Sequence, residues 1–357
     1  MRDAFTCGNT VFGEDFFGRS CLIASLLDSI IAGKDSTLLI GESRIGKSSI
    51  LRQLGYLTEH TVETTVYFDA YVGGSPERFA QSLGTALDSS EIFRNRARRA
   101  GQKGLQPLLR LLEAVPERLT ILVDEVDSIV VDRESARFIR SVASIGHKIV
   151  IATSRSDPSH DKSELNEPAW WNVFRIQYVG LFTHDEANDM LLTLSERSGR
   201  RFTDGECAFF IDVMGCYPFF LQWIGHVVFN RGFKDCATSQ RKQLLNELAK
   251  DYSLHGLLGN HYNGWLERLD EKQYMLLLES ASSRGIVPNP SLASLKSRGL
   301  LIEDDSGRWH PFSRLFGEYL RSLPKRPMLS AEVKAKIWQG LFPAIKTVFE
   351  AATKHYL

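Results

Sequence analysis

The run Gly41-Glu42-Ser43-Arg44-Ile45-Gly46-Lys47-Ser48 holds the clearest chemistry in this chain. It satisfies G-x-x-x-x-G-K-[ST], the pattern of a loop that wraps phosphates. Its backbone from Gly41 to Gly46, with Ser43, Arg44 and Ile45 between, would turn N–H groups toward the anion, and the glycines permit that close wrap. Lys47 is spaced to reach the β- and γ-phosphates of a nucleotide. Ser48 would offer a hydroxyl to Mg2+, and Ser49 could donate to the α-phosphate. The apolar run Thr37–Ile40 ahead of the loop reads as a strand, and Ser48–Tyr56 behind it as a helix. The loop thus stands at a helix N-terminus, whose partial positive charge favours phosphate.

A second chemical feature is the apolar run Leu119–Val123 followed by Asp124 and Glu125. Behind a phosphate loop, an acidic strand end of this kind reads as a Walker B element; alone, it would equally suit a solvated turn. Asp124 would hold Mg2+ through its water shell, because a hard cation prefers oxygen. Glu125 would orient and polarise the attacking water. Asp127 is expected to cap a helix, with a ligand role as the alternative. Lys148–Thr153 is a third buried run, ending in Ser154 and Arg155. Ligands of open parallel sheets bind at the carboxyl ends of strands. Thr153 and Arg155 would therefore share the crevice of Lys47 and Asp124, with the Arg155 fork on the γ-phosphate. The alternative for Arg155 is an ordinary surface arginine. Arg137 and Arg140, downstream of Asp124, are expected at the surface, with a finger toward a neighbouring subunit as the alternative.

These residues need a scaffold, and the chain predicts one. Short β-branched runs at Thr37–Ile40, Thr65–Asp69, Leu119–Val123, Lys148–Thr153 and Phe174–Val179 alternate with helical patterns. That alternation implies crossover connections and a parallel sheet of α/β class with helices on both faces. From Thr183 only helices are expected, near 184–198, 205–214, 218–230 and 238–251, with capping boxes at Thr183–Glu186 and Thr203–Glu206. Gly215 reads as a helix stop and Pro218 as a first-turn proline. From about Trp265 comes a third texture. A helix over 271–282 capped by Asp270, a short helix opened at Asn289-Pro290 and stopped at Gly299, a hairpin of Leu300–Glu303 with Arg308–His310, and a helix over 312–323 give the order of a winged helix. Two amphipathic helices are expected after Pro324.

Together the residues resemble the STAND class of P-loop NTPases within the AAA+ relatives, over about residues 10–323. The P-loop, the Asp-Glu strand end and Thr153-Ser154-Arg155 carry the resemblance. Phe16-Phe17-Gly18-Arg19 is similar to the family's h-h-G-R element. Gly215-Cys216-Tyr217-Pro218 is similar to its G-x-P motif. The resemblance implies that Phe17, Gly18 and Arg19 lie by the adenine and phosphates, and that Pro218 packs on the adenine. Asp124-Glu125-Val126-Asp127 also resembles origin-recognition initiators, so the nearest branch is that of archaeal and bacterial ATPases sharing features with them. Two departures stand out. Cys21-Leu22 replaces the acidic residue that often follows G-R, and only about 35 residues follow the winged helix, too few for long sensor repeats. The trigger is therefore expected to come from another molecule.

The expected division is a P-loop nucleotide-binding domain over 1–182, a helical lid over 183–255, a winged helix over 256–323 and a helical tail over 324–357. The expected function is that of an ATP-binding, slowly hydrolysing Mg-dependent ATPase switch, binding ATP or ADP and associating with itself or a protein partner. The alternative is a DNA-binding initiator- or loader-type AAA+ ATPase. A third reading is a nucleotide-bound scaffold subunit that rarely hydrolyses. No N-K-x-D guanine motif is present, which favours ATP.

Charge bears on the DNA alternative. The chain has 43 basic and 43 acidic residues and 43% hydrophobic residues, ordinary globular usage. That excludes disorder, a collagen repeat and a uniformly basic coat. The winged-helix region is near neutral, a poor start for phosphate contacts. A packing or switch role is expected there, with Ser291–Arg298 as the recognition helix if DNA is read. Two segments are more basic: Arg94, Arg96, Arg98, Arg99 and Lys103, and the tail with Arg321, Lys325, Arg326, Lys334, Lys336, Lys346 and Lys354. Both suit solvated helix faces, or contact with DNA or an acidic partner. The five cysteines, Cys7, Cys21, Cys207, Cys216 and Cys236, contain no C-x-x-C pair. With no signal peptide and no apolar run of roughly 18 residues, a cytoplasmic protein away from membranes is expected.

Overall fold

The computed structural model describes residues 4–59, 64–72, 75–158, 169–236, 238–251, 257–282, 284–288 and 292–323. The chain divides into two compact units. One comprises Thr10–Glu42 and Gly46–Val179; the other comprises Met1–Asn9, Ser43–Ile45 and Gly180–Leu357.

The first unit is built on strands β1 (Thr37–Ile40), β2 (Thr64–Asp69), β3 (Leu119–Asp124), β4 (Lys148–Ser154) and β5 (Arg175–Tyr178). They form one parallel sheet in the order β2-β3-β4-β1-β5. Every residue of β1, β3 and β4 is buried, which is why these strands read as continuous apolar runs and not as alternating ones. The helices are α1 (Ser20–Ala32), α2 (Lys47–Thr58), α3 (Pro76–Asp88), α4 (Ala97–Gln102), α5 (Leu105–Ala114) and α6 (Arg133–Ala143). Leu38, Ile121, Val123 and Val150 join a core with Phe79, Leu108 and Phe138 from α3, α5 and α6. Residues of opposite parity, such as Leu122, face the other side, where α2 lies against the sheet. This is the α/β fold of P-loop NTPases, with helices on both faces as expected.

α3 and α4 touch backbone to backbone. A Cβ on Gly84 would lie 2.6 Å from the Ala97 carbonyl oxygen, and one on Gly101 would lie 2.3 Å from that of Ala80. Only glycine allows this approach, so the cationic stretch around α4 rides on a fixed platform.

The second unit holds α7 (His184–Arg197), α8 (Asp204–Met214), α9 (Pro218–Asn230), α10 (Arg241–Asp251), α11 (Leu257–Leu266), α12 (Glu271–Ser280), α13 (Ala293–Ser297), the antiparallel pair β6 (Leu301–Glu303) and β7 (Trp309–Pro311), and α14 (Arg314–Ser322). Both expected capping boxes form, and Asp270 makes a third with Gln273. Gly215 ends α8 at φ 70°, and Pro218 opens α9. α11 has no counterpart in the sequence expectations. Its run contains two glycines and two asparagines, which weaken local helix preference. Burial of Tyr262 and Trp265, each 0% exposed, overrides that preference.

The N-terminal segment also packs in this unit. The Phe5 ring lies so close to α9 that a Cβ on Gly225 would meet it at 2.3 Å, and it stacks with Phe202 and Phe229. The expected helix opening at Asn289-Pro290, the start of the recognition helix at Ser291 and the basic tail over 324–357 lie outside the described residues. No described helix is long and apolar enough to cross a membrane.

Candidate functional site

Three strands end at the crevice: β1 at Ile40, β3 at Asp124 and β4 at Ser154. Gly41 N–H continues the sheet by donating to the Ser154 carbonyl at 3.2 Å. The loop then reaches Gly46 at φ 102°, where a Cβ would meet nothing within 4 Å. Conformation, not crowding, requires glycine there.

Lys47 begins α2 and is buried. Its ammonium donates to the carbonyls of Gly41 at 2.7 Å and Glu42 at 3.0 Å. Burial lowers its pKa to about 8; Glu42 and Asp127 oppose the shift, Arg155 adds to it, and Asp124 opposes it. Those four charges act on one ammonium, so the loop, the acidic end of β3 and the Arg155 end of β4 converge. Ser48 follows on the first turn of α2. Ser49 Oγ accepts the Val11 N–H at 3.2 Å, and Gln53 Oε1 accepts the Gly13 N–H at 2.7 Å. α2 thereby ties down the segment leading to Phe17, Gly18 and Arg19. Gly18 and Arg19 both adopt positive φ, 67° and 63°, immediately before α1.

Asp124 is held from both sides. Its Oδ1 accepts Thr153 Oγ1–H at 2.6 Å and the Glu125 N–H at 3.2 Å, while Oδ2 accepts the Tyr67 phenol at 2.9 Å. The Arg52 guanidinium lies 3.5 Å from the centre of the Tyr67 ring. Burial, then Asp124, raises the phenol's pKa, so Tyr67 stays a donor. Glu125 sits at φ 52°, a left-handed conformation unusual for a non-glycine residue. Its carboxylate pairs with the Arg155 guanidinium. Backbone strain of this sort persists where surroundings over-determine it, often at functional sites.

Asp127 departs from the expectation. No side-chain cap forms at the short 3-10 turn Val126–Ser128. Instead the carboxylate accepts Ser154 Oγ–H at 2.6 Å and the Arg155 N–H at 2.7 Å. It clasps the end of β4 and so aims Arg155. Capping was expected from local spacing, but the partners lie across the sheet. The Arg155 fork is engaged with Glu125, the acid expected to polarise water. Tyr67 and Arg52 were missed altogether. The available signal was Tyr67's place on β2, two residues before the strand end beside β3.

Ser43, Arg44, Ile45 and Pro218 belong to the second unit. There the Ser43 carbonyl accepts the Tyr217 hydroxyl at 2.5 Å, and Ser43 Oγ accepts Trp265 Nε1–H at 3.3 Å. Arg44 donates to the Gly8 carbonyl at 3.0 Å and lies 5.6 Å from the Phe219 ring centre. Of the two cations placed on the recognition helix, Arg298 turns inward to the carbonyls of Arg268 and Trp265, and Lys296 lies over Trp309.

The residues fit a nucleotide and Mg2+. The loop supplies open N–H space at Gly46, the buried ammonium supplies charge, and Ser48 with Asp124 supplies two hard oxygen donors.

Residues 31–154 match the family model described as an AAA domain. Solved structures share the fold. The Walker-type ATPase of Pyrococcus abyssi is 18% identical, with a TM-score of 0.57, covering 89% of this chain and 99% of that one. The ORC2 protein of Aeropyrum pernix is 13% identical, TM-score 0.50, covering 96% and 98%. Cdc6p of Pyrobaculum aerophilum is 12% identical, TM-score 0.50, covering 98% of each chain. No curated protein matches the chain.

Proposed function

We propose that the chain is an ATP-binding, slowly hydrolysing switch. The observation that carries this is the convergence on Lys47: its ammonium lies on the loop carbonyls, within reach of the charges of Asp124, Asp127 and Arg155. Lys47 and the loop N–H groups would bind the phosphates. Ser48 and Asp124 would hold Mg2+, which when bound neutralises charge on the transferring phosphoryl group. Thr153 and Tyr67 keep the Asp124 carboxylate from rotating. Glu125 would polarise the attacking water, but only after parting from Arg155. That requirement supports slow turnover and gives Arg155 a route to the γ-phosphate. Phe17, Gly18 and Arg19 would meet the adenine end.

Lys47→Ala should lower ATP affinity more than a hundredfold, the equivalent of about 3 kcal/mol for removing a buried charged partner. Glu125→Gln should keep binding and lower turnover by about 10²–10⁴-fold. A fluorescent-nucleotide titration and a phosphate-release assay read the two effects. Undiminished binding by Lys47→Ala would remove the site.

A second role, DNA contact, is favoured by one observation. Arg98 and Arg99 on the glycine-docked helix α4, and Arg94, Arg96 and Lys103 beside it, are all exposed. The inward turn of Arg298 shifts that role away from the expected recognition helix. Duplex affinity at two salt concentrations tests it: a steep slope, reduced in Arg98→Ala/Arg99→Ala, is expected, and absence of binding at low salt removes it.

A further inference from the structure

A groove lies wholly inside the second unit, between α8 and the α14 face, apart from the phosphate crevice. Its volume is about 700 Å³, within the range of about 300–1,000 Å³ that accommodates small-molecule ligands. Phe182, Ile211, Ile302, Pro311 and Phe312 give it an apolar lining, and Ile302 remains 44% exposed.

Two glycines line the groove for different reasons. Gly215 is demanded by the chain itself: it sits at φ 70°, and a Cβ would lie 2.5 Å from both Phe312 Cδ2 and the Phe312 carbonyl oxygen. Gly317 is not demanded. Its φ is ordinary for a helix, and the nearest atoms a Cβ would meet are Arg321 Nη1 at 3.6 Å and Pro311 carbons at 3.6 and 3.8 Å, ordinary contact distances. A helix-interior glycine costs about 1 kcal/mol relative to alanine. What Gly317 provides in return is room.

Arg314 and Arg321 flank Gly317, two helical turns apart on one face. Asp212 fixes Arg314 Nη1 at 2.8 Å, and the Ala281 carbonyl fixes Arg321 Nη1 at 2.8 Å, a contact that leaves the Arg321 charge in place. The other acid on the lining, Glu303, lies 3.8 Å from Lys296, and His310 is bonded to Asp304. Glu318, also on α14, is buried, and burial raises its pKa while Arg314 and Arg321 lower it.

We propose that this groove binds a small amphipathic carboxylate, its apolar body against Ile211, Ile302 and Phe312 and its carboxylate at the Arg314–Arg321 end. Such a ligand bears on the nucleotide loop through one aromatic cluster. Phe312 packs at a tilt against Tyr217 and edge-on against Trp265, at 5.6 and 5.8 Å between ring centres, and those two residues hold Ser43. This coupling, unlike the binding, rests on the nucleotide reading above.

Decanoate, kept below its micelle concentration, is the probe, with calorimetric titration of the full chain. One saturable equivalent is expected, with affinity reduced at least tenfold in Arg321→Met and in Gly317→Leu, and with decanol and inorganic phosphate binding far more weakly. Circular dichroism checks that the variants fold, and Arg321→Met decides the matter if Gly317→Leu does not. No decanoate binding, or equal binding by Arg321→Met, overturns the site. Saturating decanoate should also shift nucleotide affinity, and nucleotide should shift decanoate affinity by the same factor. Decanoate binding with no such shift overturns the coupling alone. Lys47→Ala should lose nucleotide yet keep decanoate, which separates failure of this site from failure of the phosphate crevice.

Discussion

The phosphate crevice and the α8–α14 groove solve opposite problems with similar economy. In the crevice, polar groups hold one another: Asp124 by Thr153 and Tyr67, Asp127 by Ser154 and Arg155, Glu125 by Arg155. In the groove, apolar walls stand around a missing side chain. One site is prepared by occupied hydrogen bonds, the other by unfilled volume. The difference teaches where each should be fragile. The crevice should fail when an acceptor is removed, and the groove when space is altered.

The two groove glycines give the widest contrast. Gly215→Ala should destabilise the chain by about 3 kcal/mol, because it adds backbone strain to a clash with Phe312. Denaturant unfolding measures it, and a neutral result would show that the Gly215–Phe312 approach is not needed. Asp127→Ala should come next, at about 2 kcal/mol, since Ser154 and the Arg155 N–H lose a charged acceptor. Turnover should fall with it while nucleotide binding persists, which distinguishes a clasp from a general weakening.

Smaller still is the pH response of Lys47. Its pKa is lowered to about 8 by burial, so the ammonium is charged below that value and neutral above it. Nucleotide affinity should therefore be level below about pH 8 and fall by up to about tenfold per pH unit above it. Lys47→Arg should flatten that fall, and titrations from pH 7 to 9.5 would show whether it does. Smallest is Gly317→Ala, which should stabilise by about 1 kcal/mol, because nothing in the fold needs glycine there. A loss of stability instead would mean the groove is closed by packing at that position.

Much of the crevice was legible because its residues are close in sequence. Gly41–Ser48 is one run, Asp124-Glu125 another, and the strands carrying them are unbroken apolar stretches. What stayed hidden acts across strands. Asp127 reads as a cap from spacing alone, but its partners lie at the end of β4 and just past it, and Tyr67 reaches Asp124 from the neighbouring strand. α11 was hidden because its helix is imposed by burial of Tyr262 and Trp265, against its own composition. The groove had no signature at all. Its walls come from around residues 182, 211, 302 and 317, and no local spacing brings them together.

Ser43–Ile45 is counted with the second unit although the rest of its loop belongs to the first. A fragment cut to begin at Gly180 would therefore be missing a piece of its own interior. The Tyr217 hydroxyl and Trp265 Nε1–H, on side chains that are 0% exposed, would both lose their Ser43 acceptors. Leaving a buried donor unmet costs about 1–3 kcal/mol. Any attempt to express the halves separately would start from that deficit, and a synthetic peptide bearing the Ser43 segment could supply what the cut removes.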